Sequence, residues 1–390
     1  VDNPTTPTDP RIATLLAEPH RPDGGIDAAV PPIVQTSLFT FADYVAFEAR
    51  MSGQSDSPIY TRVQNPTVAA FEDLMARAER AEAAIGFASG MAAISATLLS
   101  LLRPGDRLAC VTHVYSDAFR LMETHLRPFG IEISYHDPCA FADDPELLSG
   151  VQLAYLESPG SMMMRMMDLP RIARHARRHG TITVIDNTWA TPVLQQPITH
   201  GIDVSLHSAS KYIGGHSDTV AGVVCTSAEI AARIRSHALT LFGAKLAPFE
   251  AFLLTRGLRS LDARMRQHQR SAAQFVAGLE TRPEVTAIHA PGPAPEMGLN
   301  GRSGLLSIEL REAVDIPRFA DALKLFRLGV SWGGFESLIL PAGVGLAQAA
   351  DPNPMRHFGV PPRLVRLSLG LEDPDDLWRD FCAALDAART

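Results

Sequence analysis

Asp186 and Lys211 share one stretch, VIDNTWATPVLQQPITHGIDVSLHSASKYIGGHSD, in a largely apolar and hydroxyl-rich setting. A lysine in such surroundings is costly to keep protonated, so its pKa falls and its amine becomes a nucleophile. Forming a Schiff base removes the buried charge. A carboxylate nearby is suited to hold a proton on a pyridine nitrogen through a charge-assisted hydrogen bond. A third candidate lies upstream, where Ser89-Gly90-Met91 separates the apolar run AAIGFAS from the helical run MAAISATLLSLL. Backbone N–H groups there open a helix N-terminus, which favours anions, and Gly90 permits close approach of a phosphate. Ser208 and Ser210 add hydroxyl donors beside the lysine. A lysine, an acid and a phosphate cradle are what pyridoxal 5'-phosphate (PLP) asks of a protein. Taken singly, Asp186 reads equally as a turn cap and Gly90 as plain turn chemistry.

These residues need elements to hold them. Residues 1–65 are rich in Pro, Gly, Ser and Thr (AAVPPIVQTS, MSGQSDSPIY) and show no sustained periodicity, which predicts an extended arm. From Pro66 the pattern becomes helix (TVAAFEDLMARAER), strand (AAIGFAS), helix, then strands RLACV and IEISY. It continues through VQLAYLE, a helix opened by Asp168 and closed by Gly180, then TITVIDN, DVSLHSA and VAGVV. Alternating strands and helices predict an α/β domain with a mainly parallel sheet over 66–254. Asp186, Ser208 and Lys211 fall just after strands, where the loops of such sheets form a ligand crevice. A long charged helix (LRSLDARMRQHQRSAAQFVAGLE) and strands GLLSIEL and RLVRLSLGLE predict a smaller α+β domain over 255–390.

The 390-residue length suits two domains. A net charge of −8 with interspersed signs and no basic run argues against nucleic acid as a partner. No apolar run of membrane-spanning length and no signal-like start occurs, which predicts a soluble, cytoplasmic protein. Four scattered cysteines without C-x-x-C spacing suit reduced thiols, and no metal site is expected. The run Met162 to Met167 reads as adaptable packing, and His113, His136, His207 and His216 as structural or turn residues. No G-x-G-x-x-G follows the early strands, so a nicotinamide oxidoreductase is excluded.

The segment DVSLHSASKYIGGHSDTVAGVV, with hydroxyls flanking a lysine and then Tyr, a Gly pair, His and Ser, resembles the signature of the Cys/Met-metabolism PLP enzymes of fold type I. The likeness runs from about Ile33 to Glu372. It implies that Lys211 carries the cofactor, that Asp186 faces its pyridine nitrogen, and that Gly90, Met91, Ser208 and Ser210 form the phosphate cradle. The family usually has Thr where this chain has Ser210, which retains the hydroxyl. The motif YTRVQNPT resembles one whose tyrosine and arginine reach the phosphate of a neighbouring subunit, which would assign that part to Tyr60 and Arg62 and explain the arm. By the same likeness Tyr115 stacks on the cofactor and assists the leaving group, Arg366 holds the substrate α-carboxylate, and Ser331 and Trp332 help it. A homotetramer built from dimers with shared sites is implied.

Two segments bear on the reaction. ESPGSMMMRMMDLP resembles the E-S-P-G-S form of the bacterial cystathionine β-lyases of this family, where γ-acting members usually read E-S-P-x-N-P. SWGGFESLI carries the Trp of the β-acting members, where γ-acting ones usually have a smaller aliphatic residue. The resemblance therefore implies β-cleavage of cystathionine, with γ-acting lyases and synthases as the alternative. A cofactor-binding protein without turnover is a further alternative, against which the full set Lys211, Asp186, Tyr115 and Arg366 speaks.

Overall fold

The computed structural model describes residues 10–19 and 28–389. Parts of the predicted arm, residues 1–9 and 20–27, lie outside the described residues.

Short apolar runs bounded by turns form a seven-stranded sheet: β1 Ala83–Phe87, β2 Arg107–Val111, β3 Glu132–His136, β4 Leu153–Glu157, β5 Ile182–Asp186, β6 Val204–Ser208 and β7 Gly222–Thr226. Their order is β1-β7-β6-β5-β4-β2-β3. The pairs from β3 across to β6 are parallel, whereas β7 runs antiparallel to both β6 and β1. Strands β4, β5 and β7 are almost wholly buried and read as continuous apolar runs, as strands covered on both faces must.

Helices supply both covers. One face packs on Gly90–Leu101, Leu169–His179 and Ala228–His237 through residues such as Leu98, Ile172 and Ile234. The other packs on Pro66–Glu79 and Pro248–Arg259 through Phe71, Met75 and Leu254. Each fully buried Phe or Leu here contributes about 1.5–3 kcal/mol of apolar transfer energy. A second, five-stranded sheet follows, with β8 Val285–His289, β9 Leu305–Leu310, β10 Arg327–Leu328, β11 Leu338–Pro341 and β12 Leu364–Ser368 in the order β10-β11-β12-β9-β8.

Leu258 and Arg259, the first residues of the long charged helix expected from the sequence, close the helix Pro248–Arg259, and after a break at Ser260 the rest forms as expected in a second helix, Leu261–Leu279. The second one ties the sheets together. Leu261 and Met265 join the core of the large sheet, while Ala272, Phe275 and Leu279 join that of the small one.

The arm departs from the expectation of a wholly extended segment. It contains the helices Ile12–Ala17 and Tyr44–Met51. The second begins at Asp43, whose side chain accepts from the Ala46 N–H at 2.8 Å and caps the helix. None of its residues is buried, and Tyr44, Val45 and Met51 stand out into solvent. No helix among the described residues is long and apolar enough to cross a membrane.

Candidate active site

The carboxyl ends of β2, β4, β5 and β6 open into one cavity of about 1230 Å³, closed on the far side by the segments around Ser331 and Arg366. The structure brings together in its wall Gly90, Met91, Tyr115, Asp186, Ser208, Ser210, Lys211, Ser331, Trp332 and Arg366. Tyr60 and Arg62 are not there. Tyr60 is exposed, Arg62 lies with its guanidinium 5.5 Å from the Tyr60 ring centre, and neither lines the cavity of their own chain.

Ser89 caps the helix Gly90–Leu101 by accepting from the Ala92 N–H at 3.0 Å, which leaves the first turn of that helix facing the cavity. Gly90 sits so close to β6 that a Cβ there would meet the Ser208 side chain at 2.8 Å. Thr188 ties this cradle to the acid on the cavity floor: its hydroxyl accepts from the Ser208 N–H at 2.8 Å and donates to Asp186 Oδ1. The Thr188 N–H adds a second bond to the same oxygen at 3.0 Å. Both bonds therefore fall on Oδ1 of a buried carboxylate that also lines the cavity. Ser210 is held by Ala221, accepting from its N–H at 2.9 Å.

Lys211 follows the turn after β6 and points Nζ at the Ser331 hydroxyl, 2.6 Å away. Burial, with the Arg366 cation adding to it and Asp186 opposing, lowers its pKa to about 8. Gly333 brings Ser331 and Trp332 over the lysine. It has φ +81°, a conformation that favours glycine, and a Cβ there would meet the backbone N of Tyr212 at 2.9 Å. The Trp332 indole lies 5.6 Å from Lys211 Nζ and packs edge-on to Tyr212.

Arg366, on β12, is buried and makes no ion pair among the described residues. One nitrogen donates to the Val330 carbonyl at 2.7 Å and another to the Ser161 carbonyl at 3.4 Å. Burial lowers its pKa to about 10, against the pull of Glu157 and Tyr115. A buried guanidinium without a carboxylate is expensive, and facing a cavity it is a binding-site signal.

Sequence reasoning missed Glu157. It ends β4 as Asp186 ends β5, lines the cavity, and accepts the Tyr115 N–H at 2.7 Å. An acid closing an apolar strand, LAYLE beside TVID, was the available signal. Of the other conspicuous residues, His113 also lines the cavity. Met162, Met164 and Met167 are buried packing, His216 bonds the Gly214 carbonyl in its turn, and His207 sits in the core against Glu79 at 2.5 Å. Arg165 pairs on the surface with Asp137.

The site fits PLP. A nucleophilic lysine of lowered pKa, a buried acid, a helix N-terminus crowded against a serine and a guanidinium without an ion pair among the described residues line one cavity. On a mainly parallel sheet flanked by helices, this defines a PLP-dependent enzyme of fold type I. The chain matches the family model described as Cys/Met metabolism PLP-dependent enzyme over residues 13–386, and it belongs to that family. It is 38% identical over 371 residues to an L-methionine gamma-lyase of Pseudomonas putida, covering 93% of each chain. It is 34% identical over 397 residues to a cystathionine beta-lyase of Bordetella avium, covering 97% of this chain and 98% of the other. A solved structure from Campylobacter jejuni, described as an O-acetylhomoserine (thiol)-lyase and containing N'-pyridoxyl-lysine-5'-monophosphate, superposes with a TM-score of 0.89. Its sequence identity is 26%, over 96% of this chain and all of that one. The chain is thus a PLP-dependent member of a carbon–sulfur lyase family whose named relatives act at either the β- or the γ-carbon.

Proposed function

We propose that the protein is a carbon–sulfur β-lyase that cleaves L-cystathionine to homocysteine, pyruvate and ammonia. The observation that carries this reading is Trp332, whose indole stands 5.6 Å from Lys211 Nζ beside Ser331. Elimination at the γ-carbon needs a second proton removed at Cβ, so Cβ must swing toward the lysine. A bulky ring next to Nζ opposes that swing, while removal of the α-proton alone needs none.

Lys211 would hold the cofactor covalently, Asp186 would face its ring nitrogen, and Gly90, Met91, Ser208 and Ser210 would receive its phosphate. When bound, PLP supplies an electron sink conjugated to the substrate α-carbon. The chain's own groups do the rest. Arg366 takes the substrate α-carboxylate in a two-pronged hydrogen bond and so fixes the α-hydrogen toward Lys211. Lys211, freed by the incoming amine, removes that proton, its lowered pKa making the neutral base available near neutral pH. Tyr115, which lines the same cavity, would protonate the departing sulfur.

The arm supports a homo-oligomer with shared sites. Tyr60 and Arg62 stand outside their own cavity, and the arm exposes Leu38, Tyr44, Val45 and Met51. In this reading they serve the neighbouring subunit's phosphate within a tetramer of paired dimers.

A γ-acting enzyme is the second reading, favoured by the identity to the Pseudomonas putida methionine gamma-lyase. Incubation of pure protein with L-cystathionine separates the two. Pyruvate as the main keto acid supports β-cleavage, and 2-oxobutyrate replaces it by γ-cleavage.

A further inference from the structure

Asp117 has no part in the roles assigned so far, yet both of its carboxylate oxygens are engaged at the cavity wall. Oδ2 accepts from the Tyr115 hydroxyl at 3.0 Å and Oδ1 from Arg120 at 2.6 Å. Arg120 is held in turn by Gln348 Oε1, 2.6 Å away on the segment beyond the helix Ala342–Leu346. The three polar residues and the tyrosine all line the cavity. Asp117 itself sits in the first turn of the helix Ser116–Leu121, where a carboxylate is favoured, and Tyr115 immediately precedes that helix. The carboxylate is therefore fixed from two sides and cannot easily swing away from the phenol.

An ionised carboxylate only accepts hydrogen bonds, so the shared hydrogen belongs to the phenol. We propose that Asp117 is a positioning residue that keeps Tyr115 protonated and aims its hydroxyl, so that Tyr115 acts as the acid toward the departing sulfur and not as a base. This deepens the β-lyase reading and rests on it for the identity of the proton acceptor. As the Cβ–S bond breaks, its electron pair goes to sulfur, and the phenol proton passes to that sulfur to give the neutral thiol. The phenolate regains a proton, through solvent, from the Lys211 ammonium that took the α-proton.

The three carboxylates around the phenol all raise it. Asp117 faces it from its own helix, Glu157 from β4 and Asp186 from β5, while the cations Arg120 and Arg366 oppose them. The phenol is pushed well above the ordinary tyrosine range, by burial first and by Asp117 next. Asp117 is the carboxylate bonded to the hydroxyl itself, which makes it the neighbour whose removal matters most.

Ultraviolet difference titration, with the Tyr115→Phe spectrum subtracted, reads this phenol in cofactor-stripped protein. Asp117→Asn should lower its midpoint by about one pH unit or more, as loss of an adjacent like charge does. Arg120→Gln should raise it, because the carboxylate then acts without its counter-ion. Asp117→Glu keeps the charge and should restore most of the parent value. In the loaded enzyme, Asp117→Asn should cut kcat about tenfold or more with KM within about twofold, and should move the alkaline limb of the pH profile in the same direction as the midpoint. An unchanged midpoint in Asp117→Asn overturns the proposal, as does movement of both variants in one direction. If Asp117→Asn does not fold, Arg120→Gln alone decides, a fixed or lowered midpoint counting against. The titration does not depend on which carbon is cleaved, so failure of the β-lyase reading shows separately as 2-oxobutyrate from the parent protein.

Discussion

Glu157 and Asp186 end adjacent parallel strands in direct register, two buried carboxylates side by side on the floor of the cavity. Burial raises both, and the neighbouring Asp186 raises Glu157 further, with the Tyr115 N–H and Arg366 offsetting part of it. Folded Glu157 therefore binds its proton more tightly than it does in the unfolded chain, so its contribution to stability falls as pH climbs from about 4.5 toward the raised folded value. Glu157→Gln removes that dependence. Cofactor-free parent and variant should have similar urea midpoints near pH 4.5, and the variant should pull ahead as pH rises. Midpoints that run parallel across that range would show that Glu157 is not held protonated.

Lys211 carries two expectations. Borohydride reduction of the loaded protein should fix the cofactor on the peptide containing Lys211. Lys245 is the nearest rival, but it pairs with Phe87 beside a minor cleft of about 20 Å³, away from the main cavity. Labelling there would sink the assignment. In cofactor-free protein the sign of the lysine's contribution follows from its lowered pKa. Between about pH 8 and 10.5 the unfolded chain binds more protons than the folded one, so stability rises with pH across that window. Lys211→Met should lack that rise. It should exceed the parent by about 1 kcal/mol at pH 7, a figure discounted for solvent contact, with the gap closing toward pH 10.5 in denaturant titrations.

The shared-site reading makes Arg62 a test. Arg62→Ala should weaken PLP retention by about ten- to a hundredfold, the worth of about 1.5–3 kcal/mol for a charged hydrogen bond. Mixing Arg62→Ala with Lys211→Ala protomers should regenerate some activity, since one of the two mixed sites keeps both groups. Subunit exchange without recovered activity would rule out the crossed arm.

Much of this was legible because the chemistry sits where local patterns are strongest. Apolar runs between turn residues marked the strands of the large sheet, and Asp186, Ser208 and Lys211 fell at their ends as alternation with helices requires. The direction of β7 was not legible, since a buried strand reads the same whether its neighbour runs with it or against it. The Glu157–Asp186 contact depends on the register of β4 with β5, and the Arg120–Gln348 bond joins residues far apart in the chain. No local spacing encodes either one. The helix Tyr44–Met51 was missed for a different reason. Its cap at Asp43 was present, but with eight residues it is too short for an apolar period to stand out from the surrounding turn-rich sequence.

Trp332→Leu tests β against γ chemistry most directly. The Trp332 indole packs on Tyr212, which is buried, and reaches to within 5.6 Å of Lys211 Nζ, so it occupies space that a folded substrate chain would need. Trp332→Leu removes that volume while leaving Lys211, Asp186 and Arg366 anchored by contacts of their own. The variant should keep PLP and its absorbance, because the cradle is anchored by its own hydrogen bonds at Ser89, Ser208 and Ser210. KM for cystathionine should rise, since the ring no longer confines the chain against Ser331. Pyruvate formation should fall by about tenfold, the order expected when a reacting group loses its orientation, and 2-oxobutyrate should begin to appear as Cβ gains access to the lysine. The keto acids can be told apart by chromatography of their hydrazones. If the variant keeps the parent's rate and makes pyruvate alone, the indole does not set the site of cleavage. Regiochemistry must then come from elsewhere in the cavity wall.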